Sequence, residues 1–272
     1  MTDGETAPVP IRKLPEVATI TVATVLRAFA AGLRDMQRAP LLSLSFGLLY
    51  AGFGWLILFL MIRMNYGSYT YPMATGFALV APFAAGGLYE ISRRLENGMA
   101  ISAGAIFSSF FNKNGQAISI MAVVTTFSYL IWLDIAAAIY VLFFGLKPLS
   151  LSALLDAVIT TPRGMVFLAV GNLVGAALAL VVFSITVVSL PLVFDRDVDF
   201  VTAMITSVKS VLANPKPMLV WCLIIGFLLA LSLASLFAGL LVVFPLLGHS
   251  TWHLYRKVVK LEGTHNRTIA PQ

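Results

Sequence analysis

Polar and apolar positions follow a rhythm that recurs three times along the chain. Each time an amphipathic basic stretch at helical spacing leads into an apolar stretch long enough for two membrane crossings, and the second crossing exits near a proline. In the first instance Val22, Val25, Leu26, Phe29, Leu33 and Met36 share one face of a predicted helix over 21–38, with Thr24, Arg27, Ala31, Arg34 and Arg38 opposite. The basic face suits a bed of anionic headgroups; docking on the protein's own cytoplasmic surface fits the same pattern. Pro40 then opens an uncharged span over 41–62, about 33 Å long at helical rise and therefore able to cross. A second span over 72–91 contains Pro82 and the small cluster Ala84, Ala85, Gly86 and Gly87, and leaves the membrane at Tyr89, Arg93 and Arg94.

The second instance starts with Ser102 as helix cap. Ile106, Phe107, Phe110 and Phe111 face one way, with Ser108, Ser109, Asn112 and Lys113 opposite. Spans are predicted over 117–144 and 165–194, the latter with Pro191 near its end, and a short helical pattern lies between Pro148 and Pro162. In the third instance Asp197 or Asp199 caps a helix whose apolar face is Val201, Met204, Ile205, Val208, Val211 and Leu212. Its polar face is Thr202, Thr206, Lys209 and Ser210, and Asn214-Pro215-Lys216-Pro217 ends it. No acidic or basic side chain occurs over 218–255. As one helix that stretch would reach about 57 Å, nearly twice the hydrocarbon core, so two spans joined by a turn near 232–235 are predicted. The last exits through Pro245, Tyr255, Arg256 and Lys257.

The fold expected is all-α: a polytopic membrane protein of six transmembrane helices in three parallel units over 21–94, 102–194 and 199–257, related by a pseudo-threefold axis along the membrane normal. A six-span domain over 21–257 would carry cytoplasmic tails over 1–20 and 258–272. With both termini in the cytoplasm, fifteen Lys and Arg fall inside and only Arg63, Lys147 and Arg163 outside, as the positive-inside rule requires.

Composition agrees. Hydrophobic residues make up 59% of 272 and charged residues 11%, against about 25% charged in a soluble protein, so lipid must solvate much of the surface. The formal charge of +6 sits at the flanks of apolar segments, and no binding motif assigns it to nucleic acid. One cysteine, Cys222, rules out an internal disulfide. The polar start of the chain lacks the apolar core of a signal peptide, which leaves insertion to the first span.

Candidate chemistry is sparse. Asp134, the one acid well inside a span, and Asn172, at similar depth, form a candidate intramembrane polar site and could hydrogen-bond across helices. His249 and His253, four apart on one face, have the spacing of two metal or haem ligands but no third, and interface anchoring beside Trp252 and Tyr255 fits them better. Gly171 and Gly175 form a GxxxG helix-packing pair, and Gly47 and Ala51 a second small pair. Arg27, Arg34, Arg38, Arg93, Arg94, Lys209, Arg256 and Lys257 are the expected basic contacts to the membrane interface. No HExxH, GxSxG, Walker A or intramembrane Ser/His or paired-Asp pattern is present. The expectation is a non-enzymatic protein without catalytic residues, metal or cofactor.

The segments VATVLRAFAAGLRDMQRAPLLSLSFGLLYAGFGWL, GGLYEISRRLENG and SLPLVFDRDVDFVTAMITSVKSVLANP resemble a bacterial integral-membrane family, domain of unknown function 2189, over roughly residues 20–260. The resemblance implies a protein of the bacterial cytoplasmic (inner) membrane and says nothing of mechanism. Some members carry a cytochrome c oxidase label. No oxidase ligand set is recognisable here, so respiratory complexes and other membrane proteins stand only as expected partners beside the bilayer itself. The expected role is organisation, assembly or accessory support of membrane components; the alternative is a channel or carrier for a small solute or lipid.

Overall fold

The computed structural model describes residues 15–64, 70–112, 115–147 and 149–260. It is helical apart from one two-stranded ribbon. The first stretch holds α1 (Val22–Arg38), α2 (Pro40–Arg63) and a broken return of α3 (Thr70–Phe77), α4 (Ala81–Ala84) and α5 (Gly86–Glu96). The second holds α6 (Ala103–Asn112), α7 (Gly115–Phe144), α8 (Leu151–Thr160), α9 (Pro162–Thr186) and α10 (Ser189–Asp195). The third holds α11 (Phe200–Ala213), α12 (Pro215–Ala234) and α13 (Leu240–Val258). Among the described residues four helices are long and apolar enough to cross a membrane: α2, α7, α9 continued by α10, and α12.

Local chemistry sets these boundaries. Pro40, Pro162 and Pro215 stand in the first turn of α2, α9 and α12, where a missing amide costs nothing. Ser150, Thr161 and Asp199 cap α8, α9 and α11 by accepting the amides of Ala153, Gly164 and Thr202 at 3.2, 3.0 and 2.9 Å. The spans predicted over 72–91 and 165–194 are not continuous helices. Proline removes the donor for the carbonyl four residues earlier, which for Pro82 is Ala78 and for Pro191 is Val187. The breaks at 78–80 and 187–188 begin at those residues. The Ala81 amide takes the Ala78 carbonyl instead. At the second break Ser207 of α11 accepts from the Val188 amide at 3.1 Å and donates to the Ser184 carbonyl at 2.8 Å.

The core sits at one end of the bundle. There α5, α10 and α13 pack pairwise, and Gly86–Ser92, Ser189–Phe194 and residues 244–250 are buried without interruption. Along the four long apolar helices only 17 to 33% of residues are buried, and Leu49, Phe53, Phe127, Leu173 and Phe227 point outward. Large apolar side chains outside and small or polar ones between helices is the arrangement of a protein dissolved in hydrocarbon.

The amphipathic helices follow the same rule. Val25, Ala28, Gly32 and Asp35 form the buried stripe of α1, against α13, while Leu26 and Leu33 remain exposed. Ala203, Thr206, Ser207 and Ser210 are the buried stripe of α11, while Val201, Ile205 and Leu212 are exposed. The face predicted to be polar on α11 thus includes part of its packing face. Docking on protein and contact with lipid are served by different sides of one helix.

The described ends of the chain meet. β1 (Glu16–Val17) pairs antiparallel with β2 (Val259–Lys260), Glu16 opposite Lys260. Asn214, between α11 and α12, accepts from the Ile20 amide at 2.7 Å and donates to the Ala18 carbonyl at 3.0 Å. The expected tails over 1–20 and 258–272 are therefore structured at 15–20 and 258–260, and the rest of them lies outside the described residues.

Close approach holds α2 against α13. A Cβ on Gly47 would run into the carbonyl of Leu241, which Pro245 deprives of its helical donor. Ser43, Gly47, Tyr50, Ala51 and Gly54 make the buried stripe of α2, and Tyr50 stacks between Phe77 and Phe244 with ring centroids 4.3 Å from each. Gly47→Leu is expected to destabilise the protein by about 3 kcal/mol through backbone separation. Gly52→Ala, where a Cβ meets nothing within 4 Å, is expected to be neutral or stabilising. Thermal melts in detergent compare the two directly.

Candidate functional site

Two features stand out, one polar and closed, the other apolar and open. The polar one gathers side chains from four helices. Ser43 of α2 places its Oγ 2.9 Å from Nε2 of His249, and Ser92 of α5 places its Oγ 2.8 Å from Nδ1 of the same ring. On α1, Asp35 stands beside Ser92 in the same cluster, and its Oδ2 lies 2.7 Å from Nε2 of His253. Ser43, His249, Ser92, Asp35 and His253 thus gather in one place. An ionised carboxylate only accepts, so His253 is the donor to Asp35.

Burial opposes ionisation of Asp35. The hydrogen bond from His253 and the neighbouring polar side chains outweigh it and hold the carboxyl below its ordinary value. Asp35 was not among the residues the sequence singled out. The available signal was its place in the stripe of Val25, Ala28 and Gly32, an acid at a packing position of a basic helix.

Ser43, Ser92 and His249 are fully buried. Neither large cavity touches them. Both nitrogens of His249 are taken, and the two Nε2 atoms have different partners, so His249 and His253 do not converge on one point. Among the described residues no group of three or more His, Cys, Asp and Glu is placed to hold a metal ion. What this arrangement can do is lock α1, α2, α5 and α13 together.

Ion pairs surround it. Glu90 takes Arg93 at 2.6 Å and Arg94 at 2.8 Å, while Arg256 reaches Glu96 at 3.0 Å and Asp195 at 3.4 Å. Asp195 also accepts from Tyr255 at 2.8 Å, and Glu96 from Trp252 at 3.1 Å. The basic set expected at the interface therefore divides. Arg93, Arg94 and Arg256 are engaged within the protein, whereas Arg27, Arg34, Arg38, Lys209 and Lys257 are exposed.

The apolar feature is a pair of adjoining cavities of about 400 and 210 Å³. Thr75, Ala78, Leu79, Ala179, Gly226 and Leu229 line both, so they form one slot between α3–α4, α9 and α12. Trp132 of α7 closes one wall, its Nε1 donating to the Pro72 carbonyl at 2.8 Å. The GxxxG pair is divided by this slot. A Cβ on Gly175 would touch the Trp132 ring at 2.9 Å, whereas one on Gly171 would meet nothing within 4 Å. Asn172 does not pair with Asp134. Its Oδ1 accepts from Tyr71 at 2.8 Å and its amide donates to the Leu168 carbonyl at 2.8 Å. Asp134 lies exposed on α7, two residues from inward-facing Trp132, a step that turns it to another side of the helix. Tyr71, just before the span predicted over 72–91, is the partner that the sequence reading missed.

The turn between α12 and α13 borders the same cavity as Tyr71 and Asn172. Leu236 and Phe237 take the left-handed region, with φ of 51° and 67°. Trp55 Nε1 holds the Leu236 carbonyl at 2.6 Å, and Phe237 seats on Gly54 and meets Phe77 edge-on. Such backbone costs about 1–3 kcal/mol per residue and persists because packing over-determines it.

The protein is thus a multi-pass integral membrane protein of all-α fold. Residues 70–195, from the start of α3 to the end of α10, match the family model described as "predicted integral membrane protein", domain of unknown function 2189, a shorter stretch than the 20–260 over which the resemblance was read. No curated protein and no solved structure matched the chain.

Asp35→Asn is expected to lower stability by about 2 kcal/mol at neutral pH, because it weakens a charge-assisted bond and leaves His253 facing an amide. The folded-state pKa of Asp35 lies below the ordinary 3.8, so its contribution is complete above 3.8 and is lost as the pH falls through the lower folded value. The difference in melting temperature between wild type and Asp35→Asn should therefore close on acidification; a gap that widens in acid contradicts the assignment.

Proposed function

We propose that the protein is a six-span component of the bacterial cytoplasmic membrane, with both termini in the cytoplasm and three parallel units. In this reading it organises, assembles or supports other membrane components without catalysing a reaction. The observation that supports this topology best is the pairing of β1 with β2: Glu16 and Lys260 stand opposite each other, as an even number of crossings with both ends on one side would require. The return of the chain through α3–α5 fits six rather than four. Tyr50 stacks on Phe77 partway, and Ser92 reaches the level of Ser43, at the start of α2. α13 runs back along α2 in the same way, from Leu241 at Gly47 to His249 at Ser43. Three parallel units are supported by the order of parts in each, a short amphipathic helix, a long apolar helix and a return that contains a proline, broken before Pro82 and Pro191 and continuous through Pro245, and by the pairwise packing of the three return ends, α5, α10 and α13.

A non-catalytic role is supported by the inaccessibility of the Ser43–His249–Ser92 contact. A nucleophile and base need room for a substrate beside them, and these three side chains have no exposed surface. For the alternative of a channel or carrier, the slot favours an apolar cargo over an ion, since no acidic or basic side chain lines it.

Reporter fusions test the topology. Fusions after Gly98 and Gln272 are expected to be active in the cytoplasm, and those after Met64 and Gly145 outside it. A Gly98 fusion active outside would remove the crossing assigned to α3–α5. The role is tested by extraction in mild detergent: a membrane complex is expected to co-purify in fixed ratio, and recovery of the chain alone after cross-linking in intact membranes would count against it.

A further inference from the structure

The slot between α9 and α12 has the chemistry of a site for hydrocarbon. Its hydroxyl and indole groups are already engaged: Thr75 with the Tyr71 carbonyl, Tyr89 with Pro82, Trp132 with Pro72, Thr186 with Val182, Ser232 with Leu228 and Thr251 with Leu247. A water molecule needs two to four polar partners, and among the described lining residues the side-chain donors left over are the Cys222 thiol and, at the mouth, the second amide hydrogen of Asn172. The slot is also held open. α9 and α12 do not pack closely on each other, and a Cβ on Gly171 of one or Gly226 of the other would meet nothing within 4 Å. Both helices are apolar enough to cross the membrane, and Leu173 beside the gap on one and Phe227 on the other face outward. What lies outside the opening is therefore the bilayer's own hydrocarbon.

We propose that this slot binds an acyl chain of a membrane phospholipid, which enters sideways between α9 and α12. The Tyr71–Asn172 pair stands at the polar end, where both residues are exposed and suited to the ester region of the lipid. The chain then follows α9 from Gly171 toward Val187, a path of about 24 Å at helical rise. One leaflet of hydrocarbon is about 15 Å deep, so the slot accepts a whole acyl chain. Tyr89, Leu247 and Gly248 line its far end, against the buried core of α5 and α13, so the site is a pocket and not a passage. The occupant is neutral along its length because the walls are, and it stands where two small-residue helix faces would otherwise meet.

The proposal rests on the membrane placement of α9 and α12 and not on the number of spans, so a failed reporter fusion leaves it standing. The test uses the full chain in nanodiscs containing phosphatidylglycerol with a diazirine in one acyl chain. Irradiation is expected to label Ala176 and Leu229 inside the slot as well as Leu173 and Phe227 on the outer surface. Gly226→Leu and, separately, Gly171→Leu project a side chain into open space, so both should fold. Each is expected to abolish labelling inside the slot and to leave the outer labels unchanged. Equal labelling of the slot in wild type and both variants, or none in the wild type, overturns the proposal. So does rapid disulfide formation between Gly171→Cys and Gly226→Cys in a Cys222→Ala background, because that would mean the two helices close on each other.

Discussion

Helices dissolved in hydrocarbon gain nothing by hiding apolar side chains from one another, so they must associate by close backbone approach and by hydrogen bonds. That constraint governs this protein. The faces that pack are small or polar: Gly47 and Ala51 of α2, Gly32 and Asp35 of α1, Thr206, Ser207 and Ser210 of α11. The leucines and phenylalanines that would build the core of a soluble protein face outward instead. Even the helices with a basic side obey it, with a third face reserved for the protein.

The bundle is graded from one end to the other as a result. Where α5, α10 and α13 converge, proline-broken backbone, the cluster of Ser43, His249, Ser92, Asp35 and His253 and the carboxylates of Glu90, Glu96 and Asp195 tie the helices together. These side chains are hydrogen-bonded or ion-paired, and most are buried. Farther along, α9 and α12 diverge and leave an apolar slot. A polar, closely packed end thus stands beside a slot with apolar walls.

The prolines link these two regions. Each removes one amide from a return segment, and the carbonyl it strands is met differently: Ala78 by the Ala81 amide, Leu241 by the bare backbone of Gly47. At the break before Pro191, Ser207 bridges the Val188 amide and the Ser184 carbonyl. A broken helix in a membrane is tolerable only where such groups are on hand. The breaks accordingly lie where neighbouring helices pack.

Amphipathic spacing and uncharged length are local properties, and from them the sequence by itself determined that the chain is helical and enters the membrane. It also placed the short helices over 22–38 and 200–213 and the prolines at which they give way to longer ones. His249 and His253 were legible as a pair on one face, but not their partners. Ser43 and Asp35 lie more than 200 residues away, and the chemistry of an imidazole is set by what the other helices bring to it. The same holds for Asn172, whose partner is Tyr71 and not Asp134, and for the glycines of α9, which read alike in the sequence although one carries a tryptophan ring and the other faces open space. Periodicity reports which side of a helix is apolar. Only the tertiary structure decides which side is covered, because in lipid the covered side is chosen by fit and hydrogen bonding rather than by hydrophobicity.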